Sequence, residues 1–79
     1  MNQEELIGIL QEIFDDIFDE TQPKVVLDLS SSDVQEWDSL ANIQLIVAIE
    51  HQFSIKFAAH EVEKLSSVRD LINSINTKI

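Results

Sequence analysis

The fold is decided by the stretch Glu36-Trp37-Asp38-Ser39-Leu40-Ala41-Asn42-Ile43-Gln44-Leu45, which continues as Ile46-Val47-Ala48-Ile49-Glu50-His51-Gln52-Phe53. Asp38 is a good helix cap placed just before a sustained apolar period. A helix is therefore expected from Asp38 or Ser39 to about Gln52. Leu45, Ile49 and Phe53 follow one face of it, with Ile46 and Ala48 alongside. Ile43 and Val47 lie toward the opposite side, so apolar surface is left over for a partner. Ser39 falls in the first turn, where backbone amides are unpaired and the helix dipole is positive. A phosphodiester on its hydroxyl would meet a favourable environment for an anion there. Taken alone, Asp38-Ser39-Leu40 is also what an ordinary capped helix looks like, and both readings stay open.

Upstream of this helix, residues 19 to about 37 form a long connection. Thr21, Gln22 and Pro23 break structure, and Val25, Val26, Leu27 and Leu29 supply an apolar anchor. A lone strand would have no pairing partner, so the segment is read as a loop pinned onto the core. Ser30-Ser31-Ser32-Asp33 reads as a turn or short cap. Before the loop, a first helix is expected from Gln3 to Phe18, capped by Asn2 with Glu5 as reciprocal partner. Leu6, Leu10, Ile13 and Ile17 make its stripe, widened by Ile7, Phe14 and Phe18. Asp19 and Glu20 oppose the helix dipole, and with Pro23 they help to end the helix.

Downstream, Phe53-Ser54-Ile55-Lys56-Phe57 is a connector with Ile55 or Phe57 turned inward. A short third helix can span Ala58 to Leu65. A final helix begins at Ser66 or Ser67 and buries Val68, Leu71, Ile72 and Ile75, with Asp70 completing a capping box on Ser67. Gly8 and Pro23 are the sole glycine and proline, so β-turn chemistry is scarce. The expected fold is an all-α four-helix bundle with a short third helix, a long loop between helices 1 and 2, and one domain over residues 1–79.

Composition narrows the function. The 79 residues hold 15 acids and 5 bases, a formal net charge of −10. Nucleic acids and anionic membranes would be repelled, while a basic partner would be drawn in quickly at low salt. Solubility alone also accounts for such a surface. A hydrophobic content of 44% is too high for a disordered acidic tail. With no cysteine, disulfides and cysteine-based metal or redox chemistry are excluded. Met1 to Glu5 carries no positive charge, and Leu6 to Leu10 is too short for a signal core. No apolar run approaches the roughly 20 residues of a membrane span, so a cytoplasmic location is expected.

No catalytic or metal site emerges from the remaining candidates. His51 and His60 are isolated, and Asp15, Asp16, Asp19 and Glu20 lack a calcium-loop pattern and read as a solvated acidic face. Ser30, Ser31 and Ser32 have no nucleophile-elbow context. Ser39 and His51 lie twelve residues apart on one helix, about 18 Å along its axis, which forbids direct proton transfer. Trp37 reads first as a loop aromatic covering the helix mouth, and second as a contact for a partner or tethered group.

Over nearly its whole length the chain resembles the acyl carrier protein family, including the peptidyl and aminoacyl carriers. The resemblance rests on Asp38-Ser39-Leu40 after a long loop, then Ile43, Leu45, Ile46, Ala48, Ile49, Glu50 and Phe53, and later Ile55, Phe57, Leu65, Ser67, Val68, Leu71 and Ile72. It implies that Ser39 is esterified by 4′-phosphopantetheine from coenzyme A, whose thiol holds an acyl, aminoacyl or peptidyl group as a thioester. The absent cysteine fits, since the cofactor brings the thiol. It further implies a recognition surface of Glu36, Trp37, Asp38, Leu40, Ile43, Gln44, Val47 and Glu50. The implied partners are a phosphopantetheinyl transferase and acyl-activating, ketosynthase or acyltransferase-type enzymes with basic docking surfaces. The carrier would act as a monomer and would not itself be an enzyme. Long acyl cargo would insert between the helices into the apolar core.

Certain positions depart from the fatty-acid type of the family. Within the second helix Glu50 is the lone acid, and Ala41, Gln44, His51 and Gln52 stand where acids are frequent. Seven acids and no base fall within residues 1–20, and Trp37 replaces a small residue. The pattern looks more like a dedicated carrier for polyketide, nonribosomal peptide or modified lipid synthesis. The competing reading from another class is an unmodified acidic helical module that docks on a basic partner.

Overall fold

In the computed structural model, which describes residues 2–79, four helices pack around one apolar cluster. Helix α1 runs Gln3–Ile17, α2 Ser39–Phe53, α3 Ala59–Val62 and α4 Val68–Lys78, and a single 3₁₀ turn, Ser31–Asp33, interrupts the long loop. The starts of the three longer helices are where side-chain caps place them. Asn2 accepts the amide of Glu5 at 2.8 Å, Asp38 that of Ala41 at 2.8 Å, and Ser67 that of Asp70 at 3.1 Å. Each cap supplies an acceptor to an otherwise orphaned first-turn donor.

Boundaries shift where tertiary packing overrides the local pattern. Phe18 leaves helical geometry to cap α1, one residue earlier than expected. Helix α2 extends one residue further, to Phe53, and ends at Ser54 in the left-handed region (φ 54°). The third helix keeps only Ala59–Val62 of the expected Ala58–Leu65. Beyond it, Lys64 and Leu65 donate to Glu61 and Val62, three residues back, so the chain tightens into turns that swing Leu65 inward. Helix α4 begins at Val68, with Ser67 as its cap and Ser66 outside.

The α1 stripe also differs from the expected one. Its fully buried line is Leu6, Leu10, Phe14 and Phe18, while Ile7, Ile13 and Ile17 flank it half-buried. The two phenylalanines claim the centre because Trp37 from the loop packs against both. Its ring stands edge-on to Phe14 at 5.3 Å and 89°, and tilted to Phe18 at 6.1 Å. Leu45, Ile46 and Ile49 of α2 and Val68, Leu71, Ile72 and Ile75 of α4 complete the core with Val25, Val34, Ile55 and Leu65. Ile55 is the buried member of the connector pair, and Phe57 is half-buried.

The long loop is laced down at both ends. Gln11 on α1 donates to the carbonyl of Pro23 at 3.0 Å and accepts the amide of Val25 at 2.9 Å. Further along, Val68 donates to Leu29 and Ser31 to Ser66, flanking an isolated antiparallel bridge between Ser30 and Ser67. These bonds satisfy loop backbone that would otherwise be stranded against the core, and they bring the loop to the head of α4. Among the described residues no strand forms, and no helix is long and apolar enough to cross a membrane.

Candidate functional site

The site is assembled where the loop turns into α2. Trp37 donates its amide to Val34, Asp38 donates to Glu36, and Asp38 then accepts from both Ala41 and Asn42. This sequence of bonds makes Ser39 the first helical residue, with its side chain exposed. Among the described residues the amides of Ser39 and Leu40 have no hydrogen-bond partner. They are the free positive end of the helix, directly beside the Ser39 hydroxyl. A phosphodiester on that oxygen would find two unused donors and no buried group to displace, so the residues present fit such a group.

Beside Ser39 an open cleft of about 520 Å³ runs between the head of α2 and the turn after α3. Ser39, Asn42 and Ile43 form one wall, and Val62, Glu63 and Ser66 the other. Its floor is Trp37, 5% exposed, and Leu65, 3% exposed. The indole N–H of Trp37 donates to Asn42 Oδ1 at 2.9 Å, satisfying the one polar atom of a buried ring. The sequence pattern alone does not mark Asn42 for this role. A tryptophan beside a helix cap needs an acceptor within the first turns, and that need was the available signal.

The expected recognition residues divide into two groups. Leu40, Ile43 and Val47 stand out from α2 at 66%, 55% and 51% exposure, and Gln44 and Asp38 are exposed beside them. The other three are occupied within the chain. Trp37 is inside, as the aromatic over the helix mouth, and offers a partner no surface beyond the cleft floor. Glu36 accepts both the amide and the hydroxyl of Thr21, and Glu50 accepts the amide of Phe57 at 2.8 Å. Those two acids stitch the loop and the connector in place.

The outward face of α2 is thus largely apolar, and a cluster of acids lies on α1 and just beyond its end. Glu5, Glu12 and Asp16 of α1, and Asp19 in the turn after it, project into solvent. His51 and His60 are exposed and separate, and the described residues assemble no cluster of three or more metal-ligating side chains.

Residues 6–75 match the family model described as a phosphopantetheine attachment site. The chain is similar to an acyl carrier protein of Thermosynechococcus vestitus, 34% identical over 79 residues that span 100% of this chain and 98% of that one. It is also similar to an acyl carrier protein of Petrotoga mobilis, 30% identical over 79 residues, 100% of this chain and 93% of that one. The solution structure of a holo acyl carrier protein from Geobacter metallireducens superposes with a TM-score of 0.80 at 36% identity, covering 91% of this chain and 83% of that one. With a family match across most of its length and relatives aligned end to end, the chain belongs to the acyl carrier protein family.

Proposed function

We propose that Ser39 is the attachment point of the 4′-phosphopantetheine arm, and that the chain presents thioester-linked cargo to the enzymes of a specialised pathway. Members of the family are carriers rather than enzymes. The observation that carries the assignment is the exposed hydroxyl of Ser39 at the first position of α2, beside two unpartnered amides. In the loading step a transferase deprotonates that hydroxyl and a new Oγ–phosphorus bond forms. The phosphoanhydride of coenzyme A breaks, and its adenosine bisphosphate half leaves. The bound arm supplies the thiol that the cysteine-free chain lacks.

The specialised setting, in polyketide, nonribosomal peptide or modified lipid synthesis, is supported by the surface. Leu40, Ile43, Gln44 and Val47 present an apolar and neutral α2 face, and Glu50 is engaged with the connector. An enzyme that docks through a dense basic patch would find few carboxylates there. A partner with an apolar, weakly basic surface matches it better.

The test is intact mass after incubation with coenzyme A, magnesium and a broad-specificity phosphopantetheinyl transferase, run beside Ser39→Ala. The expected result is one phosphopantetheine group gained by the native chain and none by the variant. No gain by a folded native chain would overturn the assignment and favour an unmodified acidic interaction module.

A further inference from the structure

Trp37 touches two different surroundings. It contributes to the lining of the cleft that opens beside Ser39, and its ring packs with Phe14 and Phe18 of the core. Its N–H is held by Asn42, which stands on the cleft wall itself. The ring therefore lies as a partition between the outer cleft and the apolar interior. Leu65 closes the floor beside it, also buried. We propose that Trp37 is a specificity-determining residue that keeps the cargo of the Ser39 arm out of the core, so that the arm's distal end and a short or polar acyl group lie in the surface cleft.

The proposal rests on the assignment of the arm to Ser39. The cleft is suited to its part: about 520 Å³ lies within the range of roughly 300–1,000 Å³ typical of small-ligand sites. Ile43, Val62 and Leu65 give it an apolar stretch, and Ser31, Asn42, Glu63 and Ser66 give it polar groups along the rim. That mixture suits an amide-bearing arm with a polar or short acyl end better than a long bare hydrocarbon.

The core behind the partition is closed to solvent. Leu6, Leu10, Phe14, Phe18, Leu45, Ile49, Leu71 and Ile75 each have no exposed surface. To pass inward a chain would have to displace the indole, orphan its N–H and break two aromatic contacts. It would also have to push apart side chains that sit at close packing. Short cargo gains too little by burial to do this, because the gain grows with each methylene.

The experiment uses the full chain loaded with octanoyl-phosphopantetheine from octanoyl-coenzyme A, with loading first verified by intact mass. Absence of the mass gain would overturn Ser39 as the anchor and the proposal with it, whereas core shifts in a loaded chain would overturn the partition alone, so the two failures are distinct. With loading verified, methyl resonances of the octanoyl and unacylated holo forms are compared. Ile43 and Val62 are expected to shift, and Leu10, Leu45, Ile49 and Leu71 to stay within a linewidth. In Trp37→Ala, or in Trp37→Leu should the alanine variant not fold, the core methyls are expected to shift as the octanoyl chain moves in. Core shifts in the native chain would overturn the proposal. So would no shift at Ile43 and Val62, or a core that stays silent once the indole is gone.

Discussion

Asp38 Oδ1 accepts the amide of Ala41 at 2.8 Å, and the carbonyl of Asp38 accepts the amide of Asn42 at 2.9 Å. One residue thereby closes the first turn of α2 twice, from its side chain and from its backbone, and Ser39 is fixed between the two bonds. The cap leaves the amides of Ser39 and Leu40 free at the mouth of the helix, beside the exposed Ser39 hydroxyl.

Removing the cap should cost stability, and removing its charge should cost recognition. Asp38→Ala is expected to destabilise by about 1 kcal/mol, which for a domain of this size is a fall of about 4–8 °C in Tm. Asp38→Asn keeps an acceptor at the same place and should melt within a degree or two of the native chain. Both variants should load more slowly with the transferase, since the asparagine also lacks the carboxylate that the enzyme is expected to read. Thermal melts beside initial loading rates separate the two roles. Full-rate loading of Asp38→Asn would show that Asp38 serves only as a cap.

Gly8 occupies the middle of α1, exposed, and a Cβ built there meets nothing within 4 Å. No positive φ or close approach requires a glycine at that position. Gly8→Ala should therefore stabilise the fold by about 0.5–1 kcal/mol, chiefly by restricting the unfolded chain. The matching rise in Tm is about 4–8 °C per kcal/mol. Loading at Ser39 should be unchanged, because α1 presents Gly8 to solvent. A Tm equal to or below that of the native chain would refute the prediction.

Much of this architecture is legible in the sequence because it is local. Asn2, Asp38 and Ser67 each cap the helix they precede, and the apolar periods of α2 and α4 mark their buried faces. What escaped depends on contacts between distant segments. No helical period ranks Phe14 above Ile13 as the centre of α1; Trp37, twenty-three positions on, decides it. Likewise Glu36 looks like a free surface acid until Thr21, fifteen positions earlier, donates to it. The site divides in the same way. Ser39 and its cap are readable from neighbours in sequence, whereas the cleft needs Val62, Glu63, Leu65 and Ser66 to be folded back beside α2.

The α2 surface can be tested away from the cleft at Val47, 51% exposed and two turns beyond Ser39. An exposed position of this kind tolerates a polar residue, so Val47→Ser should change stability by no more than about 0.5 kcal/mol. If Val47 is covered when an enzyme docks, the same change should raise the KM of a partner reaction several-fold and leave kcat near its native value. The KM should also depend only weakly on ionic strength, because the face is apolar and Glu50 is occupied by Phe57. A steep rise of KM with salt would instead place the docking surface on the acidic face of α1.

Glu61 accepts the amide of Ala58 at 2.9 Å and pairs with Lys78 at 3.1 Å, which also lies 5.3 Å from the ring of Phe57. The Ala58 amide, more than the Lys78 ammonium, holds the Glu61 carboxyl below the ordinary glutamate value of 4.5. A carboxylate whose pKa is lower folded than unfolded adds stability above its unfolded value and loses it as pH falls through the folded one. Native chain and Glu61→Gln should therefore differ by a constant small margin near neutrality, with the native chain the more stable. The margin should shrink as pH is lowered below about 4.5. Relief of the net charge on acidification (−10 in the native chain, and one less negative in the variant) acts on both proteins nearly alike, so the difference between their melting curves chiefly reports Glu61. A margin that stays level down to the acid limit of folding would mean that the Ala58 and Lys78 contacts do not favour the ionised carboxylate.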